Sequence, residues 1–165
     1  MTGGGAEPRL SPDLESGDAW FAEFEGKDLA RLCIAFTAAF GSEAGSEAAA
    51  EVAAYAWEHR DRLASMENPS GYLYRVGQST VRRLHRWQRS PQLPPVSSAY
   101  QDVVDPDLPR ALAKLSRQQR QAVVLVHVNG WTYPEAAEAL GVDVSTVRTH
   151  VSRALVRLRR LLGEV

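Results

Sequence analysis

Cysteine is nearly missing from this chain: Cys33 is the only one in 165 residues. A single cysteine excludes an intramolecular disulfide framework and a cluster of thiolate metal ligands. It falls on an apolar stripe of helical spacing, which favours a core position. The four histidines show no ligand spacing. We therefore predict no metal site and no cofactor.

Long apolar runs are also missing. No stretch approaches the ~20 residues that a membrane span needs, and the N-terminus lacks a signal-peptide pattern. The sequence shows no paired carboxylates in a cleft-like context, no nucleophile motif and no Gly-rich phosphate loop. We expect a soluble, cytoplasmic protein with no membrane partner, no small-molecule substrate and no enzymatic activity.

Strand signals are nearly absent, and apolar residues recur at helical spacing. The sequence therefore predicts an all-α fold: two small helical domains joined by a Pro-rich linker, the second containing a helix-turn-helix. The predicted division is a disordered N-terminus (1–17), a first domain (18–89), a flexible linker (90–107) and a second domain (108–165). Helices are predicted over about 20–40, 46–63, 70–89, 108–115 and 118–128, with a break at 41–45.

The strongest local pattern lies at residues 132–162. Thr132 and Glu135 have the spacing of a capping box, and Gly141 suits the positive φ that ends a helix. Asp143 is a good N-cap for a second helix. That helix carries an apolar stripe from Val147 to Leu162 at about 100° per residue. Two helices joined by such a turn are typical of a helix-turn-helix, whose second helix enters the DNA major groove.

The outer face of this second helix is polar and basic. Base edges are read by the N-terminal turns of a recognition helix, and flanking arginines meet phosphates. The alternative is an amphipathic helix pair with a solvated basic end. The residues predicted to bind DNA are Ser145, Thr146, Arg148, Thr149, Ser152, Arg153, Arg157 and Arg160.

Charge is distributed unevenly along the chain. Net charge is −1 overall, but residues 1–71 hold five basic and thirteen acidic residues. Residues 72–89 hold five arginines and no acid, and residues 107–165 hold nine basic and five acidic residues. Attraction to nucleic acid should therefore be local to these two basic blocks.

The first basic block forms an arginine ridge on the predicted helix at 70–89, and Tyr72 and Tyr74 adjoin it. A ridge of one charge beside aromatic side chains suits a nucleic-acid backbone with unstacked bases. A solvated charged face is the alternative. The residues assigned to this second DNA contact are Tyr72, Arg75, Arg82, Arg83, Arg86 and Arg89.

Together these patterns resemble a bacterial RNA polymerase sigma factor of the extracytoplasmic-function group. The resemblance is specific at Leu115–Leu125, Gly130–Ala137 and Thr146–Ala154. In the first domain it is carried by Glu51-Val52, Ala56-Trp57, Leu73–Val76 and the arginine-rich tail. It implies that the second domain reads the upstream (minus thirty-five) promoter element. The first domain would bind core RNA polymerase and capture a flipped base of the downstream (minus ten) element.

The same resemblance implies a polymerase contact at Glu47, Glu51 and Trp57, and an anti-sigma partner. The chain departs from the family pattern at several positions. Ala50 replaces the usual Gln, Tyr72 replaces a Trp, and Ser79 and Arg83 replace an Asn and an Asp. Two alternatives stay open: a sigma-like DNA-binding regulator that has lost polymerase engagement, and an activator of the response-regulator type.

Overall fold

A computed structural model describes residues 12–85 and 107–163 and contains only helices within those ranges. The all-α prediction is confirmed. The α-helices are α1 (Pro12–Glu23), α2 (Leu29–Phe40), α3 (Ser42–Glu58), α4 (Arg60–Ala64), α5 (Pro69–His85), α6 (Leu108–Ala113), α7 (Arg117–His127), α8 (Tyr133–Leu140) and α9 (Val144–Leu162). A π-helical turn (Phe24–Asp28) joins α1 to α2. No helix in the described ranges is long and apolar enough to cross a membrane.

The first helical region differs from its prediction at its start and in its interior. It begins at Pro12, so the expected disorder of residues 1–17 is wrong for 12–17, and residues 1–11 lie outside the described part. The π turn interrupts the predicted continuous helix, since the Leu29 N–H bonds to the Phe24 carbonyl five residues back. Each π turn holds more residues than an α turn. Phe24 and Phe36, which the sequence places among the apolar residues of helical spacing, are both buried.

The break between α2 and α3 is shorter than predicted. Gly41 alone makes it, with φ of 88°, and Gly45 lies inside α3. A Cβ at Gly45 would stand 2.7 Å from the Thr37 Cα, so the glycine permits α2 and α3 to cross closely. The predicted helix over 46–63 is also divided, because the backbone at His59 (φ −114°, ψ 19°) separates α3 from α4.

Helix α5 packs its apolar face against α2 and α3. Its first turn is held by Asn68, whose Oδ1 accepts a hydrogen bond from the Gly71 N–H at 2.9 Å. At Gly77 a Cβ would lie 2.2 Å from the Phe36 ring, so this close approach requires glycine. The described helix ends at His85; the predicted continuation through Arg86 to Arg89 lies outside the described residues.

The helix-turn-helix follows its predicted geometry closely. Capping boxes are present at Ser116 and at Thr132, and Gly141 has φ of 66° in the left-handed region. Asp143 occupies the predicted N-cap position of α9, although its side chain makes no capping hydrogen bond. The buried stripe of α9 consists of Val147, Val151, Ala154 and Leu158.

Helices α1–α5 and α6–α9 pack directly on each other. Contacts run between α2 and α7 and between α5 and α8. The buried residues of both groups form one continuous apolar cluster. A flexibly linked pair of domains would not require such a shared core, and this contact is absent from the sequence prediction. Most of the predicted linker, residues 90–106, lies outside the described part.

Candidate nucleic-acid interface

The predicted DNA face of α9 lies on the surface. Seven of its eight residues are exposed, and Thr146 is half-buried. The cause is the helical period: the apolar stripe faces α7 and α8 and turns the polar residues outward. The Thr149 hydroxyl donates to the Ser145 carbonyl at 2.9 Å, within the helix. The structure thus brings the predicted upstream contacts together on one side of one helix.

The arginines on this face keep their positive charge uncompensated. In the described ranges, no carboxylate lies within ion-pair distance of Arg148, Arg153, Arg157 or Arg160. Arg148 stacks over the Tyr133 ring, with 5.5 Å from Cζ to the ring centre. That contact ties it to the start of α8. Exposed guanidinium groups without a carboxylate partner provide the local positive potential that phosphates require.

The predicted ridge on α5 is less uniformly basic in space than in sequence. Tyr72, Arg75, Arg82 and Arg83 do share the outer side of the helix. However, Arg75 pairs with Glu138 of α8 at 3.5 Å, and Arg83 pairs with Glu51 of α3 at 3.0 Å. The sequence of α5 could not predict these ion pairs, because the acidic partners belong to other helices. Arg86 and Arg89 lie outside the described residues.

The two tyrosines expected beside the ridge have different environments. Tyr74 is fully buried against Phe36 and Trp131, so it is not available to stack on a base, contrary to the prediction. Burial raises the pKa of Tyr74 to about 12. Tyr72 is half-buried at the surface, so it alone fits the predicted role.

Tyr72 belongs to a polar aromatic cluster that the sequence prediction missed. Its hydroxyl lies 2.8 Å from the Tyr55 hydroxyl, and the Arg62 Nη2 donates to both, at 2.9 and 2.7 Å. The hydrogen bond between the phenols lowers the pKa of Tyr72 and raises that of Tyr55. His59 stacks on Tyr55 with ring centres 4.0 Å apart. The spacing of Tyr55, His59 and Arg62 along the predicted helix over 46–63 was the available signal.

The predicted polymerase contact lies along α3. Glu47 and Glu51 are exposed one turn apart, and Trp57 is exposed over 49% of its surface. The Trp57 ring is held edge-on by Phe21 at 5.1 Å and covered by Arg60 at 4.2 Å. Arg60 in turn forms an ion pair with Asp18 of α1. Trp57 therefore anchors α1 while leaving half of its ring at the surface.

Within residues 12–85 and 107–163, acidic, histidine and cysteine side chains do not gather into a metal site. Groups of three or more such residues with suitable placement are absent from the described ranges. The polar features of the described surface are instead the α9 face, the outer side of α5 and an acidic stripe on α3, which consists of Glu47 and Glu51.

Comparisons with known proteins agree with this arrangement. Residues 107–158 match the sequence family described as Sigma-70, region 4. The ECF RNA polymerase sigma factor SigM of Mycobacterium tuberculosis is 46% identical over 54 residues, which cover 33% of this chain and 28% of SigM. The RNA polymerase sigma factor CarQ of Myxococcus xanthus is 38% identical over 73 residues, 42% of each chain. The matched part thus spans less than half the length of these curated relatives.

Two solved structures share the fold over almost the whole chain. CnrH, solved in complex with the cytosolic domain of CnrY, gives a TM-score of 0.60 at 22% identity and covers 92% of this chain and 94% of its own. The sigma factor RpoE, solved with the anti-sigma factor NepR from Bartonella quintana, gives 0.60 at 23% identity, covering 91% and 93%. The C-terminal part of the chain, residues 107–158, is thus similar in sequence to region 4 of Sigma-70 proteins, and the chain shares the fold of these two solved structures.

Proposed function

We propose that this chain is a sigma factor that binds core RNA polymerase in the cytoplasm and directs it to specific promoters. The observation that carries the proposal is the exposed, acid-free basic face of α9 in a domain that matches Sigma-70, region 4. The role is one of recognition and positioning rather than catalysis.

In this proposal α9 reads the upstream promoter element. Ser145, Thr146, Thr149 and Arg153 lie toward the start and middle of the helix, where a recognition helix meets base edges. Arg148, Arg157 and Arg160 flank them and meet phosphates, which position the domain without specifying sequence. Ser152 lies between the two groups and contacts the same groove.

The outer side of α5 takes the downstream element, with Arg82 and Arg83 on the backbone. Tyr72 supplies an aromatic face for an unstacked base. Arg62 is oriented by the two phenol oxygens of Tyr55 and Tyr72. The guanidinium thus has a fixed position beside Tyr72, where a phosphate next to the stacked base would meet it.

The acidic stripe on α3 is the proposed polymerase contact. Glu47 and Glu51 would face basic side chains of the polymerase, and Trp57 would add apolar area beside them. An anti-sigma protein is a further proposed partner, because the related RpoE was solved in complex with one. Such a partner would compete with the polymerase for the sigma surface.

A second function is favoured by one observation. Ala50 and Ala54 leave gaps in the acidic stripe, and Glu51 is already paired with Arg83. Because these changes reduce the acidic surface available to the polymerase, the second function is that of a sigma-like DNA-binding regulator without polymerase engagement. The two functions differ in one measurable property, affinity for core polymerase.

The test is the binding of labelled full-length chain to purified core polymerase, alongside binding to upstream-element DNA. A sigma factor should bind core tightly, and Glu47→Arg should weaken that binding at least tenfold because it inverts a charge in the stripe. Glu25→Arg, an exposed acid before α2, is the control and should change it less than twofold. Absence of core binding with intact DNA binding would reject the first function and support the regulator.

A further inference from the structure

We propose that the ion pair between Glu51 of α3 and Arg83 of α5 couples two partners: core polymerase and downstream DNA each take one member of the pair, so each strengthens the binding of the other. The inference rests on the proposed function, which assigns Glu51 to the polymerase contact and Arg83 to the DNA backbone. In the free chain the two side chains neutralise each other.

The pair lies at the border between the acidic stripe of α3 and the basic end of α5. Arg83 Nη2 donates a hydrogen bond to Glu51 Oε1 at 3.0 Å. Glu51 is the second acid of the stripe, one turn beyond Glu47, and Arg83 lies in the last turn of α5. Because α3 and α5 pack side by side, the two surfaces meet where these side chains touch.

Both members of the pair are open to a partner. The Arg83 side chain is 70% exposed and that of Glu51 is 50% exposed. Neither takes part in another ion pair within residues 12–85 and 107–163. An exposed ion pair contributes little to stability, so a charged partner can replace either member without disturbing the helices.

The pair depends on the residue type at position 83. The pattern that the sequence resembles has an aspartate there, and an aspartate beside Glu51 would repel it instead of pairing with it. With arginine at this position, one carboxylate of the acidic stripe is occupied by the chain itself. The pair is therefore a feature of this chain.

The coupling follows from the order in which the pair is broken. A polymerase cation that takes Glu51 leaves the Arg83 guanidinium free for a phosphate, and a phosphate that takes Arg83 leaves Glu51 free for the polymerase. Whichever partner binds first must break the pair, and the second finds it already broken. Such coupling is reciprocal, so both affinities rise by the same factor. For an exposed pair that factor is at most about fivefold.

Arg82 shows why the effect belongs to Arg83. It is the exposed neighbour of Arg83 on α5, and no carboxylate in the described part of the chain lies within ion-pair distance of it. Its contribution to DNA binding therefore does not depend on whether polymerase has taken Glu51. Only the contribution of Arg83 does.

Titration of labelled full-length chain with purified core polymerase tests the first direction. Arg83→Gln releases Glu51 and should raise affinity for core by about two- to fivefold. Arg31→Gln is the control, because Arg31 is an exposed arginine of α2 without an ion pair in the described ranges, and it should leave the affinity near that of the parent. A gain in affinity also cannot arise from misfolding.

A double-mutant cycle separates the pair from a general effect of charge. In a Glu51→Gln background, Arg83→Gln has no carboxylate to release, so affinity for core should not rise. A gain of the same size in both backgrounds would overturn the coupling. An Arg83→Gln variant that binds core no more tightly than Arg31→Gln would overturn it as well.

The second direction is measured on the free chain with labelled single-stranded DNA that carries the downstream element of a promoter selected by the chain. Glu51→Gln should raise affinity for this DNA by the same factor, and the gain should vanish in an Arg83→Gln background. Glu43→Gln removes an exposed acid two turns earlier on α3 and is the control, which should bind DNA like the parent.

The outcomes distinguish the coupling from the function on which it rests. Gains that appear for only one of the two partners would overturn the reciprocal coupling. Additive effects in a chain that still binds both core and DNA would overturn the coupling and leave the proposed function intact. A parent chain that binds neither core nor downstream DNA would contradict both.

Discussion

The Tyr74 hydroxyl accepts a hydrogen bond from Gln121 Nε2 at 3.2 Å, across the contact between α5 and α7. Both side chains are buried, so the bond is shielded from water. Tyr74 also stacks on Phe36 of its own half at 5.2 Å. One residue thus joins the N-terminal core to the C-terminal domain, and its ionisation state should affect the stability of the whole chain.

The pH dependence of unfolding should contain a contribution from Tyr74. Its folded pKa is about 12, against an ordinary value of 10.0. As pH rises, Tyr74 loses its phenolic proton in the unfolded chain before it does so in the folded chain. The contribution of Tyr74 to the free energy of unfolding is therefore complete below pH 10 and is lost as pH rises toward 12. The total loss is roughly 3 kcal/mol at most. Urea unfolding at pH 8, 10 and 11 measures it.

Tyr74→Phe is the matching variant, since it keeps the ring and removes the ionisable group. At pH 8 its free energy of unfolding should be lower by about 1 kcal/mol, because Gln121 loses its partner. Between pH 10 and 11 the free energy of unfolding of Tyr74→Phe should fall less steeply than that of the parent. Equal slopes for the two proteins would contradict the assignment of a raised pKa to buried Tyr74.

Gly77→Ala should destabilise the first half. The added Cβ would lie 2.2 Å from Phe36 Cζ, so the ring or the helix must move, at a cost of about 1–3 kcal/mol. Gly26→Ala is the control, because no atom lies within 4 Å of its Cβ. Thermal unfolding by circular dichroism compares them. A loss of stability in Gly26→Ala as large as in Gly77→Ala would show that helix crossing is not the cause.

Arg153 and Arg157 should differ in what they contribute to DNA binding. Arg153→Ala should weaken binding and relax sequence preference at one position, by about 1–3 kcal/mol of discrimination. Arg157→Ala should weaken binding evenly across sequences and lower the salt slope by about one contact. Titrations of several upstream sequences at several salt concentrations separate these effects. Parent-like binding by both variants would place the recognition face elsewhere.

The sequence predicted the C-terminal domain well because its signals are local. The capping box at Thr132, the positive φ at Gly141 and the apolar stripe of α9 each depend on residues a few positions apart. The surface position of the α9 basic face follows from the same periodicity. Local spacing alone is sufficient for such features.

Features that depend on distant residues were missed. The π turn at Phe24–Asp28 shifts the helical phase without any distinctive residue type. The pairing of Arg75 with Glu138 joins residues 63 positions apart, and the burial of Tyr74 depends on α7. Periodicity along one helix therefore identified the polar side of α5 but not which part of it another helix covers.

Run-off transcription tests the central claim most directly. Purified core polymerase and the full-length chain would be combined on a promoter selected by the chain itself. The account predicts a specific transcript that requires the chain and is reduced at least tenfold by Glu47→Arg or by Arg153→Ala. No transcript, from a chain that still binds the same promoter DNA, would contradict the assignment of sigma-factor activity.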